Sequence, residues 1–387
     1  MFTRITFMLM LLTSLSVQAE SNPVLLSENT SVINLTPHLE YNISEGNVLD
    51  SPPIEGWGEF DGEQIKLGFT SSVQWFRFTL TNVQRFTYSY DLELGNPLID
   101  NIVVYVLSEG KVKSVQHLGD AQPFYLRPVK HSSFIVPLSF NPNESLEIYI
   151  ALSTSGTVKL PINVWQVETL LEHQSRTLLH HGVYIGILCT VLISSFILFI
   201  FSRQLKVIYD AGFISSLLMI FLTISGLGFH YLWPESTSLQ QHAIYIFTCL
   251  AIGFSSLQAT QTLKSLFYGD VLIKLYYVLT GLAVCLIPIT LVLSHQYGLY
   301  LITTIAITIC VLHLYTGWVS WREGLNEHQE FNIGLMPILF VLILICIDNF
   351  DVAHLPISNL QLIQVATLAF VLITSVSTIK QFSFSYN

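Results

Sequence analysis

The chain has 387 residues, of which 51% are hydrophobic and only 11% charged, with a mean hydropathy of +0.57. That composition excludes an ordinary soluble globular protein. The net charge is −10, and 18 acidic against 9 basic residues leave positions 20 to 176 at −9, which argues against nucleic acid or anionic lipid as the partner of that stretch.

At the amino end, Arg4 precedes the apolar run 7–15, and Val17-Gln18-Ala19 follows. This pattern reads as a secretory signal peptide over residues 1–19, cleaved ahead of Glu20. The run is too short to cross a bilayer. The segment after it is therefore expected on the outer side.

Residues 20–165 read as one β domain. Strand-like runs fall at 31–35, 72–81, 87–94, 101–107, 133–140, 146–152 and 157–164. Turn-formers separate them, among them Gly95-Asn96-Pro97, Ser108-Glu109-Gly110 and Asn141-Pro142-Asn143. Short strands at this spacing indicate a sandwich or jelly roll. All five cysteines lie beyond residue 180, so this domain must be held by its core without disulfides.

One strand is informative about function. Alternation along Val73 to Leu80 puts Phe76, Phe78 and Leu80 on a core face and Val73, Trp75, Arg77 and Thr79 on the other. A Trp beside an Arg on an open sheet face can bind a sugar or carboxylate, the ring stacking and the guanidinium forking. The alternative is that Trp75 packs under a loop and Arg77 pairs with an acid such as Asp100.

The motif Trp75-Phe76-Arg77-Phe78-Thr79-Leu80-Thr81-Asn82 is followed by Leu92-Glu93-Leu94-Gly95-Asn96-Pro97-Leu98-Ile99-Asp100-Asn101-Ile102, and then by Arg127-Pro128 ahead of Phe134-Ile135-Val136-Pro137-Leu138. This pattern resembles the periplasmic domain of bacterial seven-transmembrane receptors with diverse intracellular signalling modules. The stretch Gly226 to Pro234 is similar to that family's membrane block. The resemblance implies a jelly-roll-like outer domain thought to bind carbohydrate, followed by seven membrane helices. Trp75 and Arg77, with Asn82, Asn96, Asp100 and Arg127 from these motifs, are the candidate ligand-binding residues. The family's output module, a histidine kinase, diguanylate cyclase or similar, has no counterpart in residues 380–387. These are expected to form a short cytoplasmic tail.

Residues 166–181 form a linker. Val167, Leu170, Leu171 and Leu178 among Glu168, Glu172, His173 and Arg176 fit an amphipathic helix that runs on into the first span. The spacing of His173, His180 and His181 is not that of a metal site, and no metal or cofactor is expected.

Residues 182–379 hold seven apolar runs: 182–201, 208–229, 243–263, 275–293, 297–319, 331–347 and 357–379. Each is close to the ~20 residues a helix needs to cross ~30 Å of hydrocarbon. With the first run entering from outside, Arg203, Lys206, Lys264, Lys274, Arg322 and Lys380 all fall on the inner side. This is the positive-inside bias of a multi-pass bacterial inner-membrane protein with a periplasmic β domain and a cytoplasmic carboxyl end. The expected fold class is thus an exported all-β sandwich followed by an all-α seven-helix transmembrane bundle.

Ionisable residues within spans are functional candidates. They are Asp210, placed to pair with Lys206 one turn away; His313, read as a neutral hydrogen-bonded imidazole; and Asp348, read as hydrated at the outer end of the sixth run. No chain of acids crosses the block, as a proton-coupled transporter would want, and no inverted repeat is visible. Glu327-His328-Gln329-Glu330 lacks a second His for a metalloprotease helix, and Gly253-Phe254-Ser255-Ser256 only faintly resembles a membrane serine protease. No catalytic residue is assigned.

These features favour a membrane sensor that binds a small extracytoplasmic ligand and signals through the helices to a separate histidine kinase or diguanylate cyclase. The alternatives are a transporter or membrane enzyme with an accessory domain, and the receptor half of a split signalling protein.

Overall fold

Alternation with period two and apolar runs of membrane length dictate two different kinds of layer, and a computed structural model of the chain shows both. It describes residues 23–385 apart from 29, 45–48, 50, 63, 71, 266–269, 291–294, 323–328 and 350–357. The expected signal peptide lies outside the described residues.

The first domain has thirteen strands among the described residues: β1 (Val24–Leu26), β2 (Val32–Asn34), β3 (Glu40–Ser44), β4 (Gly58–Glu59), β5 (Lys66–Phe69), β6 (Val73–Asn82), β7 (Tyr88–Leu94), β8 (Asn101–Ser108), β9 (Lys111–Leu118), β10 (Phe134–Phe140), β11 (Ser145–Ser153), β12 (Thr157–Lys159) and β13 (Ile162–Gln166). One sheet runs β4-β3-β6-β11-β8-β9, with β1 parallel to the second half of β6. The other runs β10-β7-β13-β2, and β12 and β5 form a separate two-stranded ribbon.

Alternate residues of the two sheets meet in one core. Phe76, Phe78 and Leu80 of β6, Val104 of β8 and Ile148 and Ile150 of β11 face Leu92 and Leu94 of β7, Phe134 and Phe140 of β10 and Ile162 of β13. All of these are fully buried. Each such side chain contributes about 1.5–3 kcal/mol relative to exposure. The architecture is therefore a β-sandwich, and the expected core face of β6 is the one observed.

Several strands differ from the sequence expectation. The run 157–164 is two strands, because Pro161 has no N–H to continue a ladder. Upstream of it β12 pairs with β5, and downstream β13 pairs with β7. Strands β1, β3, β4, β5 and β9 were not expected, and the longest of them is β9. It is a sheet edge whose Lys111, Val112 and Lys113 are exposed, so little apolar patterning marks it.

The second domain is helical: α1 (Val167–Ser202), α2 (Leu205–Ile224), α3 (Leu227–Tyr231), α4 (Thr237–Ser265), α5 (Asp270–Thr290), α6 (His295–Arg322), α7 (Gln329–Asn349) and α8 (Asn359–Ser385). Within these, α1, α2 and segments of α4, α5 and α6 are long and apolar enough to cross a membrane. Shorter apolar stretches, Ile333–Ile345 and Asn359–Ser375, lie in α7 and α8 among the described residues. The described residues of each apolar run fall mainly on a different long helix, the second run extending past α2 into α3.

Helix α1 starts at the residue after β13 and has 36 residues. At 1.5 Å per residue it is about 54 Å long, well beyond the hydrocarbon thickness. One helix thus serves as both linker and first span. The second run is not continuous as expected. It breaks after α2 at Gly226, whose φ is +73°. A β-carbon there would lie 2.9 Å from Cβ of Pro97 and 3.0 Å from the Ser132 carbonyl. The break is where the helices meet the β domain.

Candidate functional site at the junction of the two domains

The expected ligand residues do not converge on one open surface. Trp75 is fully buried, on the far face of the first sheet from the core, in a second cluster with Val73, Val103, Tyr105 and Ala151. Leu49 and Trp57 pack against this cluster: Tyr105 donates to the Leu49 carbonyl at 2.7 Å, and Asn42 donates to that of Glu55 at 2.9 Å. The packing alternative therefore describes Trp75, and its ring presents no open stacking face.

Arg77 pairs with Glu40 rather than Asp100, its Nε donating to Oε2 at 2.8 Å. Its guanidinium lies over the rings of Trp57 (4.6 Å) and Tyr149 (6.0 Å). These two half-exposed aromatics are what the outer sheet face presents. Asp100 instead accepts from the backbone and hydroxyl of Ser155 at 2.8 and 2.6 Å. Asn82 is buried and ties the Phe86 and Asn141 carbonyls, while Asn96 caps a turn and donates to the Lys159 carbonyl. Both asparagines have structural partners.

Arg127 belongs to a different place, the seat of the sandwich on the helices. It is 6% exposed and donates to the carbonyls of His131 and Ser132, both at 2.8 Å. Its guanidinium lies over Phe124 (4.6 Å), Phe134 (4.3 Å) and, from α3, Phe229 (5.5 Å). Phe124 inserts between Phe229 and His230, with centroids 5.6 and 4.5 Å away, and its amide donates to the Pro234 carbonyl at 3.1 Å. Trp233 and Ala243 complete that apolar contact.

Burial sets the electrostatics here. Desolvation pulls Arg127 down to about 10, which leaves it charged at neutral pH. Desolvation, with the nearby His230, holds His131 down at about 4. Asp120 is 3% exposed, and desolvation followed by the like charge of Asp100 pushes it up to about 7.

The other half of the seat is ionic. Lys66 of β5 and Lys159 of β12 are register partners in the two-stranded ribbon. Like charges directly opposite each other repel. Asp348, at the end of α7, answers both: Lys66 Nζ lies 2.6 Å from Oδ1 and Lys159 Nζ 2.8 Å from Oδ2. Asp348 is 3% exposed, so the expectation that it would be hydrated is corrected. A carboxylate at the end of a membrane helix loses its water to the β domain and recovers charge-assisted hydrogen bonds instead. Sequence reasoning missed the two lysines. They lie 282 and 189 positions from Asp348, and no local pattern links them.

The remaining polar candidates sit within the helices. His313 is buried, and its Nδ1 lies 3.2 Å from the hydroxyl of Tyr276, which is 2.9 Å from that of Thr316. Asp210 forms no ion pair with Lys206 among the described residues, contrary to expectation, and its Oδ1 is buried without a hydrogen-bond partner there. His173 stacks on Trp165 and His181 packs against Phe221, so they point to different neighbours.

The two domains also separate in comparisons with known proteins. Residues 36–166 match the family model 7TMR-DISM extracellular 2, and residues 177–380 match that of 7TM diverse intracellular signalling. A comparison with curated proteins finds no match. The boundary between the two family matches falls in the first turns of α1, beside the seat. A β-sandwich of the extracellular type, seated on a block of membrane-length helices that carries more than half the chain, places this protein in the 7TM diverse intracellular signalling family of membrane sensors.

Proposed function

We propose that this sensor binds a small carbohydrate-class ligand on its β domain and signals by changing how that domain sits on the helices. The shared carboxylate carries the reading: two lysines of the sandwich meet one buried aspartate of the bundle. Bistable, ion-paired interfaces are a recurrent means of switching. A ligand shifts such a seat only by its difference in affinity for the two arrangements. Helix α1 leaves the last strand without a break, so rotation of the sandwich acts directly on a span.

The ligand surface we favour is the outer face of the first sheet at Trp57 and Tyr149, with Arg77 as their anchor and Glu40 and Glu147 as acceptors. Half-exposed aromatic faces beside carboxylates suit a sugar, whose apolar face stacks while its hydroxyls donate. The basic residues between the helices support a periplasmic sandwich on a bacterial inner-membrane protein. The receiver on the opposite side is then a histidine kinase or diguanylate cyclase.

Calorimetric titration of the full chain in lipid nanodiscs against a broad glycan panel tests the ligand surface. The expected result is binding that Trp57→Ala abolishes and Trp75→Phe retains. No heat across the panel, or full binding by Trp57→Ala, would remove this assignment.

A further inference from the structure

The seat contains a buried acid that its ion pairs do not use. Asp120 follows Gly119, where the chain crosses the start of β8 so closely that a β-carbon on Gly119 would lie 2.0 Å from the Asp100 carbonyl oxygen. Two backbone bonds lock the crossing: Asp120 donates to the Ile99 carbonyl at 2.9 Å and Ala121 to that of Asp100 at 3.1 Å. The crossing holds two carboxyl side chains, Asp100 and Asp120, near each other. Asp120 Oδ1 is buried with no hydrogen-bond donor among the described residues. Asp120 also takes part in none of the ion pairs formed among those residues.

The helices supply part of its surroundings. Gln240 of α4 is 2% exposed, and its Oε1 is already taken by Trp233 Nε1 at 2.9 Å, so the amide has only its NH₂ to offer Asp120. Tyr245, one helical turn further, lies near Asp100. From its own domain Asp120 faces the Asp100 carboxylate and the Arg127 guanidinium. His230 of α3 lies near Arg127, and His131, in the loop before β10, lies near both of them and near His173 of α1.

We propose that Asp120 is a proton-binding site of the seat, so that docking the β domain on the helices takes up one proton there. The proposal rests on the sensor reading, since it needs a seat that can open. A proton from solvent adds to the carboxylate and gives a neutral acid; no other bond changes. Neutralising it removes the repulsion with Asp100 and the cost of holding an uncompensated charge away from water. The docked carboxyl is pushed up to about 7 by desolvation, then by Asp100, while Gln240 and Arg127 offset part of this. Opening the seat returns it toward the ordinary carboxylate range near 4.

The sign follows by linkage. The docked form holds its proton to higher pH, so the Asp120 contribution to docking is complete below about 4 and is lost as pH rises to about 7. Each pH unit in that window changes the docking equilibrium by up to about tenfold. His131 acts oppositely. Burial keeps it neutral down to about 4, so to the extent that docking buries it, its contribution is lost as pH falls below about 6.5. His131 is therefore not the group that favours docking in acid.

The experiment uses the full chain in nanodiscs and reads hydrogen exchange of the Phe124 amide, whose partner Pro234 lies across the seat. Exchange is corrected for the intrinsic effect of pH. The background is His131→Gln with His230→Gln, so that neither imidazole contributes. Protection is expected to fall as pH rises from about 4 to 7, by up to about tenfold per unit. Adding Asp120→Asn is expected to flatten the profile. In parallel, the infrared carboxylic acid band lost in Asp120→Asn is expected to titrate near 7. A band that titrates near 4, or a pH slope that survives Asp120→Asn, would overturn the proposal. A flat profile with the band near 7 would also overturn it, because protonation would not be coupled to docking. Asp348→Asn then locates the fault. If it lowers Phe124 protection, the seat opens and only the proton claim fails. If it does not, the sensor reading fails as well.

Discussion

The sandwich core and the seat beneath it are about equally dry but chemically opposed. The core joins Phe76, Phe78, Phe134 and Phe140 to aliphatic neighbours, all fully buried. The seat buries Asp348, Asp120 and Arg127 where the sandwich and its ribbon meet α3, α4 and α7. Close-packed hydrocarbon has one good arrangement and resists others. Buried charge is worth little net, but its energy depends strongly on where its partners and protons are. The core therefore defines a rigid body, and the seat is the surface on which that body can be re-registered.

The contrast can be broken from either side. The largest effect is expected in the core: Phe78→Ala should destabilise the sandwich by about 3–5 kcal/mol, measured by denaturant unfolding. A loss below about 1 kcal/mol would mean that this layer is not the rigid one. Next comes Asp348→Asn, which leaves Lys66 buried without its counter-charge. The expected cost is about 3 kcal/mol, read as loss of Phe124 amide protection with sandwich unfolding unchanged. Equal losses in both readouts would show that the two regions are a single cooperative unit. The smallest effect should come from Lys159→Met. Its side chain is 35% exposed against 9% for Lys66, so solvent already screens it. Its loss should change Phe124 protection by no more than about 1 kcal/mol.

The same contrast explains what could be read in advance. Phe76-x-Phe78-x-Leu80 announces its own core face, because alternation is local and the hydrocarbon decides it. The apolar runs announce their helices for the same reason. The burial of Trp75 depends on Leu49 and Trp57, which carry no periodic signature, so one face of β6 was legible and the other was not. Strand β9 escaped because Lys111 and Lys113 guard an exposed edge. At the seat, Asp348 stood out as an acid at the end of an apolar run, but its partners are set by tertiary docking alone. Gly226 carried a weaker signal: a glycine at the end of a membrane run marks a backbone approach, here to Pro97 and Ser132.

A double-mutant cycle between Lys66 and Asp348 tests the seat most directly. Lys66→Met, Asp348→Asn and the double variant would be compared in nanodiscs through exchange of the Phe124 amide. A coupling energy above about 1 kcal/mol, with the double variant more protected than Asp348→Asn alone, is the outcome the ionic seat requires. Effects that add within about 0.5 kcal/mol would show that the lysine and the aspartate do not hold the two domains together, and would contradict the account.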